Sequence, residues 1–244
     1  MIKHFQARAR ALAALAGLFA LLGALSLAPS AQAASNAGAC TDHCWTQTNA
    51  NTFTPEATRI NSTMDYQCDV GYAGWTGAGG WTGAEPMWAN AHDNGTVETG
   101  IINFAGDNGN PVFYWVRYGG SYGTGIQIYS THIRAYPATH YPMRTQWNPG
   151  NSTWTIYDNG TLTGTLSSPT GPIHMAAAGL EAVGNGSTFG KLRADTYGLQ
   201  RVQNAVTYAN WPGAAANTFY NGPPFAAPSV STDGEIAGNL IGSC

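Results

Sequence analysis

The sequence predicts an all-β protein, a sandwich of two antiparallel sheets. Three observations carry the prediction. Glycine occupies 31 of 244 positions, Thr, Asn, Tyr and Trp recur throughout, and beyond the first 33 residues helix formers almost never dominate ten consecutive positions. The stretch STWTIYDNGTLTGTL holds two alternating segments around Asp158-Asn159-Gly160, where Asn-Gly supplies the positive φ of a tight hairpin turn. Further short apolar runs are bounded by Gly, Pro and Asn, the residues that end strands.

Taken in chain order, residues 1–33 are a different object from the rest. Lys3, Arg8 and Arg10 precede the apolar run ALAALAGLFALLGALSLA, and Ala31-Gln32-Ala33 offers small residues for cleavage. This pattern is that of a secretory signal peptide, so a secreted, extracellular protein is expected, with no membrane association after cleavage. Residues 34–63 read as an irregular N-terminal segment and a candidate activation segment. A single β-sandwich domain is expected over 64–244.

Within that domain, NGTVETGIINFAGD, NPVFYWVRYGG and GTGIQIYSTHIRAY read as strands, followed by the hairpin. IHMAAAGLEAVGNG contains Ala and Leu, which favour helix, but it is bounded by Gly171-Pro172 and Gly184-Asn185-Gly186 and its surroundings favour a strand. From about residue 204, prolines at 212, 223, 224 and 228 point to an irregular C-terminal segment lying over the core.

Without the leader, seven basic residues face thirteen acidic ones, a net charge of −6, which argues against nucleic acid or an anionic membrane as partner. Only 9% of the residues are charged, against roughly 25% in ordinary globular domains. A fold with few ion pairs loses little when carboxylates are protonated, so tolerance of acid is expected. Cys40, Cys44, Cys68 and Cys244 are an even number in an exported chain, and two disulfides are expected in any of three pairings. No second close Cys or His pair accompanies Cys40 and Cys44, and His92, His132, His140 and His174 are dispersed, so neither a metal nor a cofactor is read. Gly119-Gly120-Ser121-Tyr122-Gly123 matches the nucleophile-elbow spacing but lacks its strand-to-helix setting. A monomer is expected.

Two carboxylates stand out. Glu98 lies inside an apolar strand, where alternation places it on one face with Gly100, Ile102 and Phe104. Glu181 lies inside AAAGLEAVG and shares a face with Gly179 and Val183. Isolated glutamates in the least polar segments of a nearly uncharged chain make a candidate catalytic pair. Trp88, Trp115 and Tyr118 are candidate cleft aromatics, although in a sandwich an aromatic more commonly belongs to the core.

The order TVETGIINF, PVFYWVRYGG, STWTIYDNGT and AAAGLEAVGNGSTFGKLRADTYGLQ resembles the eqolisin-type glutamic peptidases. In this resemblance Thr99-Gly100-Ile101 matches the run after the first catalytic residue, Trp115 the aromatic strand and Glu181 the second catalytic residue. Glu98 stands where eqolisins carry Gln, and here the sequence is similar instead to neprosin-type peptidases, which use two glutamates. The resemblance implies a concanavalin-like jelly-roll and a secreted, acid-acting endopeptidase without cofactor, cleaving a polypeptide substrate. Glu181 would act as base on a water and Glu98 as protonated donor to the scissile carbonyl. Two other classes fit the same residues: a jelly-roll glycoside hydrolase with two glutamates, Trp75, Trp81 and Trp88 stacking on sugar, or a carbohydrate-binding or cell-surface module without catalysis.

Overall fold

A computed structural model describes residues 34–35, 43–66, 81–92, 95–104, 107, 110–120, 127–167, 171–183, 193–203, 207–213, 218–220, 228–230 and 236–239. The leader, the Gly119–Gly123 loop beyond Gly120, Trp75, Cys40, Cys68 and Cys244 lie outside these residues, so the cysteine pairing does too.

Sixteen strands are described: β1 (Ala34–Ser35), β2 (His43–Asn49), β3 (Arg59–Tyr66), β4 (Trp81–Asn90), β5 (Thr96–Phe104), β6 (Pro111–Tyr118), β7 (Gln127–Arg134), β8 (Thr139–Asn148), β9 (Thr153–Asp158), β10 (Thr161–Ser167), β11 (Met175–Val183), β12 (Arg193–Gln203), β13 (Thr207–Asn210), β14 (Thr218–Tyr220), β15 (Ser229–Val230) and β16 (Ile236–Asn239). They form two sheets. The front sheet runs β1-β14-β2-β11-β4-β5-β6-β7 and the back sheet β10-β9-β8-β3-β12-β16-β15, with β13 also on β12. Pairing is antiparallel except between the short β1 and β14. The protein is thus the all-β jelly-roll sandwich that the sequence predicts.

The predicted hairpin is β9–β10, with Asn159 at φ 50° and Gly160 at φ 75°. The ambiguous alanine-rich stretch is strand β11, flanked by β2 and β4. Two expectations are corrected. Residues 34–63 are not irregular: they supply β2 and most of β3, both interior strands held by pairing with a neighbour on each side. Removing this segment as an activation peptide would take a central strand from each sheet. Likewise, the chain beyond 204 is not wholly irregular, since β13, β14, β15 and β16 add short edges to both sheets.

The core lies between the sheets. Met87, Ala89, Val97, Ile101, Phe113 and Trp115 project from the front sheet against Ile60, Met64, Tyr141, Met143, Trp154 and Ile156 of the back sheet. Strand β9 shows the expected alternation, buried at Trp154, Ile156 and Asp158 and half-buried between. A second apolar cluster, Ala84, Ile102, Val112, Tyr114 and Val116, sits on the other face of the front sheet. Tyr114 faces outward on that side and is nonetheless fully buried.

Candidate active site

Residues opposed across antiparallel strands point to the same face. Glu98 is opposite Trp88 on β4 and Val116 on β6, and Trp88 is in turn opposite Ala177 on β11. Two steps of two residues from Ala177 lead to Glu181, which is opposite Ala84 and, on its other side, Trp45. Glu98 and Glu181 therefore share the outer face of one sheet, with a single strand between them.

On a flat sheet the pair would stand roughly 10 Å apart across the strands and roughly 13 Å apart along them. Local chain features distinguish these strands. Pro86 lacks an N–H, and the β4–β11 ladder is interrupted beside it, between Ala178–Met87 and Glu181–Ala84. A Cβ added to Gly100 would lie 1.9 Å from the Glu85 carbonyl oxygen, and one on Gly179 2.0 Å from that of Thr46. Neighbouring backbone thus closes over the two positions where Glu98 and Glu181 each have glycine two residues away, and neither position has room for a side chain.

The charge of Glu181 bears on Glu98. Glu98 is 8% exposed, and its carboxyl is pushed up to about 8, first by burial and then by the charge of Glu181. Two donors work in the opposite direction: the Trp88 indole Nε1–H donates to Glu98 Oε2 at 3.0 Å, and the Tyr114 hydroxyl donates to Oε1. Tyr114 is opposite Gly100, whose missing side chain leaves the diagonal to Glu98 open. Burial and both glutamates hold the Tyr114 and Tyr118 hydroxyls well above their ordinary range, so they stay protonated. The arrangement keeps Glu98 neutral at neutral pH and fixes both its oxygens. Glu181 is half-buried, and Trp45 and Tyr118, also half-buried, flank the pair on the same face.

Of the sequence-predicted site, Glu98, Glu181, Trp88 and Tyr118 come together. Trp115 does not. Glu98 opposes Val116, so Tyr114, Val116 and Tyr118 point outward while Trp115 points into the core, where it stacks on Tyr129 with ring centroids 3.7 Å apart and donates to the Thr163 carbonyl at 3.1 Å. Trp88 is nearly fully buried and serves as a donor to Glu98 more than as a cleft wall. Tyr114 was missed for lack of any sequence signal, and Trp45 because its segment read as irregular.

The sequence also placed no metal, its histidines being dispersed. The fold brings two of them, His92 and His174, together beside Glu56, which the sequence reading passed over because the three lie on separate segments.

No protein-family model matches this sequence, and no curated protein matches it. Among solved structures, the chain is similar to the catalytic domain of an endo-1,3-β-glucanase (laminarinase) from Thermotoga petrophila at 9% identity and a TM-score of 0.41, covering 82% of this chain and 78% of that one. A glycoside hydrolase family 16 endo-glucanase from Bacteroides ovatus matches at 14% identity and a TM-score of 0.38 over 59% and 68% of the two chains. A carbohydrate-binding module, CBM66 from Bacillus subtilis, matches at 9% and 0.36 over 78% and 99%. At these values the likeness carries no activity or substrate over to this chain.

Proposed function

We propose that the outer face of the front sheet around Glu98 and Glu181 is the active site of a secreted hydrolase that works with a carboxyl pair, Glu98 as proton donor and Glu181 as base. The observation that carries this reading is the neutral Glu98 carboxyl, held by Trp88 and Tyr114 on the same face as a second glutamate. Two carboxyl groups whose environments differ this much divide naturally into acid and base.

A glycan is the substrate class that the geometry favours. The glutamates stand on one face, on strands two apart and staggered by four residues, and long side chains reaching towards each other from there would flank a bond and a water, as in glycoside hydrolysis. Trp45 and Tyr118 beside them offer aromatic faces to sugar rings. Glu98 would protonate the leaving oxygen, and Glu181 would activate water or attack the sugar carbon. The second reading, a peptidase, is favoured by the order of the four sequence motifs. It needs Glu98 only to donate a hydrogen bond to the carbonyl while Glu181 activates water.

One variant set separates them. Polysaccharides and denatured proteins are incubated with wild type, Glu181→Gln, Glu98→Gln and Glu98→Ala. Glu181→Gln should lose on the order of 10³-fold in rate in either reading. Glycan cleavage abolished by Glu98→Gln supports the glycosidase, because an amide has no proton to give; proteolysis that survives Glu98→Gln but not Glu98→Ala supports the peptidase. Wild-type activity should fall as the pH rises through about 8, where Glu98 loses its proton. Polysaccharide binding without hydrolysis of either polymer would overturn the catalytic proposal.

A further inference from the structure

We propose that Glu56, His92 and His174 form a binding site for a divalent transition-metal ion of the zinc class. This inference is independent of the hydrolase reading. One ligand atom from each residue, carboxylate oxygen or ring nitrogen, lies within 4.8 Å of the other two. His92 Nε2 contacts Glu56 Oε1, and His174 Nδ1 stands 3.4 Å from the same oxygen. A tetrahedral zinc ion with bonds of about 2.0–2.1 Å has ligand-to-ligand edges of roughly 3.3 Å, so the His174–Glu56 edge already has the length required.

The polar bookkeeping points the same way. Glu56 Oε1 and His174 Nδ1 are both buried atoms, and neither makes a hydrogen bond of acceptable geometry. The two imidazole rings are tilted by 36° with centroids 4.0 Å apart. Their nitrogens His92 Nε2 and His174 Nδ1 converge on the one carboxylate oxygen Glu56 Oε1. A cation shared by all three would satisfy these atoms together, and two imidazoles with a carboxylate are a donor set that suits zinc.

The ligands are also held in place by backbone. His174 N–H donates to the Asn90 carbonyl at 2.7 Å, two residues before His92, and Phe53 N–H donates to the His174 carbonyl at 2.8 Å. Next to Glu56 and His174, Ala57 and Ile173 exchange a pair of hydrogen bonds at 2.9 Å. Three segments distant in sequence are thereby fixed around one point before any ion binds, which limits the ordering cost of binding. An ion there would clamp the end of β4 to the start of β11, the strands that carry Trp88 and Glu181.

The test titrates the chelator-treated full chain with ZnCl₂ and CoCl₂ near neutral pH. One ion per chain is expected, with a visible cobalt absorption band and a rise in Tm of about 5 °C at a hundredfold excess over Kd. His92→Ala, Glu56→Gln and His174→Ala should each weaken binding at least about tenfold. The His92 side chain is 59% exposed, so His92→Ala is expected to fold even if His174→Ala does not. Absence of binding by wild type, or undiminished binding by both His92→Ala and Glu56→Gln, would overturn the proposal.

Discussion

Strands β4 and β5 carry a buried glutamate on each of their two faces, and the contrast between them is instructive. Glu98 points outward, accepts from Trp88 and Tyr114, and shares its face with Glu181. Glu85 points inward between the sheets, accepts from Thr196 Oγ1 at 2.9 Å, and lies near Asp65 and Asp195. Burial is the largest cause of a raised pKa in both, so a perturbed carboxyl by itself does not locate a site. What distinguishes Glu98 is two aimed donors and a second carboxylate on the same face. Glu85 is closed in by the opposite sheet.

The contrast can be tested by perturbing each face. The largest effect is expected from Gly100→Ala, which drives a Cβ to 1.9 Å from the Glu85 carbonyl and so disturbs both faces together. Chemical denaturation should show a loss of about 3 kcal/mol or more, since backbone must move to admit the methyl group. Next, Trp88→Phe keeps most of the ring and removes one donor from Glu98. Because that donor lowers the Glu98 pKa, its loss should shift the alkaline limb of the pH–rate profile upward and reduce the rate about tenfold, while Tm moves little.

The smallest effect belongs to the inner face. Glu85, Glu98 and Asp158 all have folded-state pKa values above their unfolded ones, with Asp158 at about 6 from burial against donors Thr163 and Thr99. The native state therefore holds more protons than the unfolded chain at intermediate pH. Stability is fullest below about pH 4 and is lost as the pH rises through the folded pKa values towards about 8. A series of melting curves should show Tm falling across that window, and Glu85→Gln should flatten the slope while leaving the hydrolytic rate within about twofold. A Tm that rises from pH 4 to 8 would show that these carboxyls are solvated in the folded protein.

Much of the fold and of the glutamate pair was legible in the chain. Glu98 and Glu181 were recognisable as charges out of place in apolar strands, and the Asn159-Gly160 turn announced its hairpin. Trp115 was misplaced because alternation gives two faces without saying which one is inward. Only the pairing of Glu98 with Val116 turns Tyr114 and Tyr118 towards the site and Trp115 away from it. Strand β2 was overlooked because QTNAN has too few apolar residues to signal a strand. Its stability comes from pairing with β11 and β14, not from its own composition.

By itself the sequence determined the class of fold, the low charge and the two glutamates, because composition, alternation and turn chemistry act over a few residues. Tertiary structure alone decided that the glutamates share a face, that burial and Glu181 raise the pKa of Glu98 while Tyr114 and Trp88 donate to its two oxygens, and that Glu56, His92 and His174 converge. Those relations depend on strand order and register, which join residues many tens of positions apart through backbone pairing that no local pattern records.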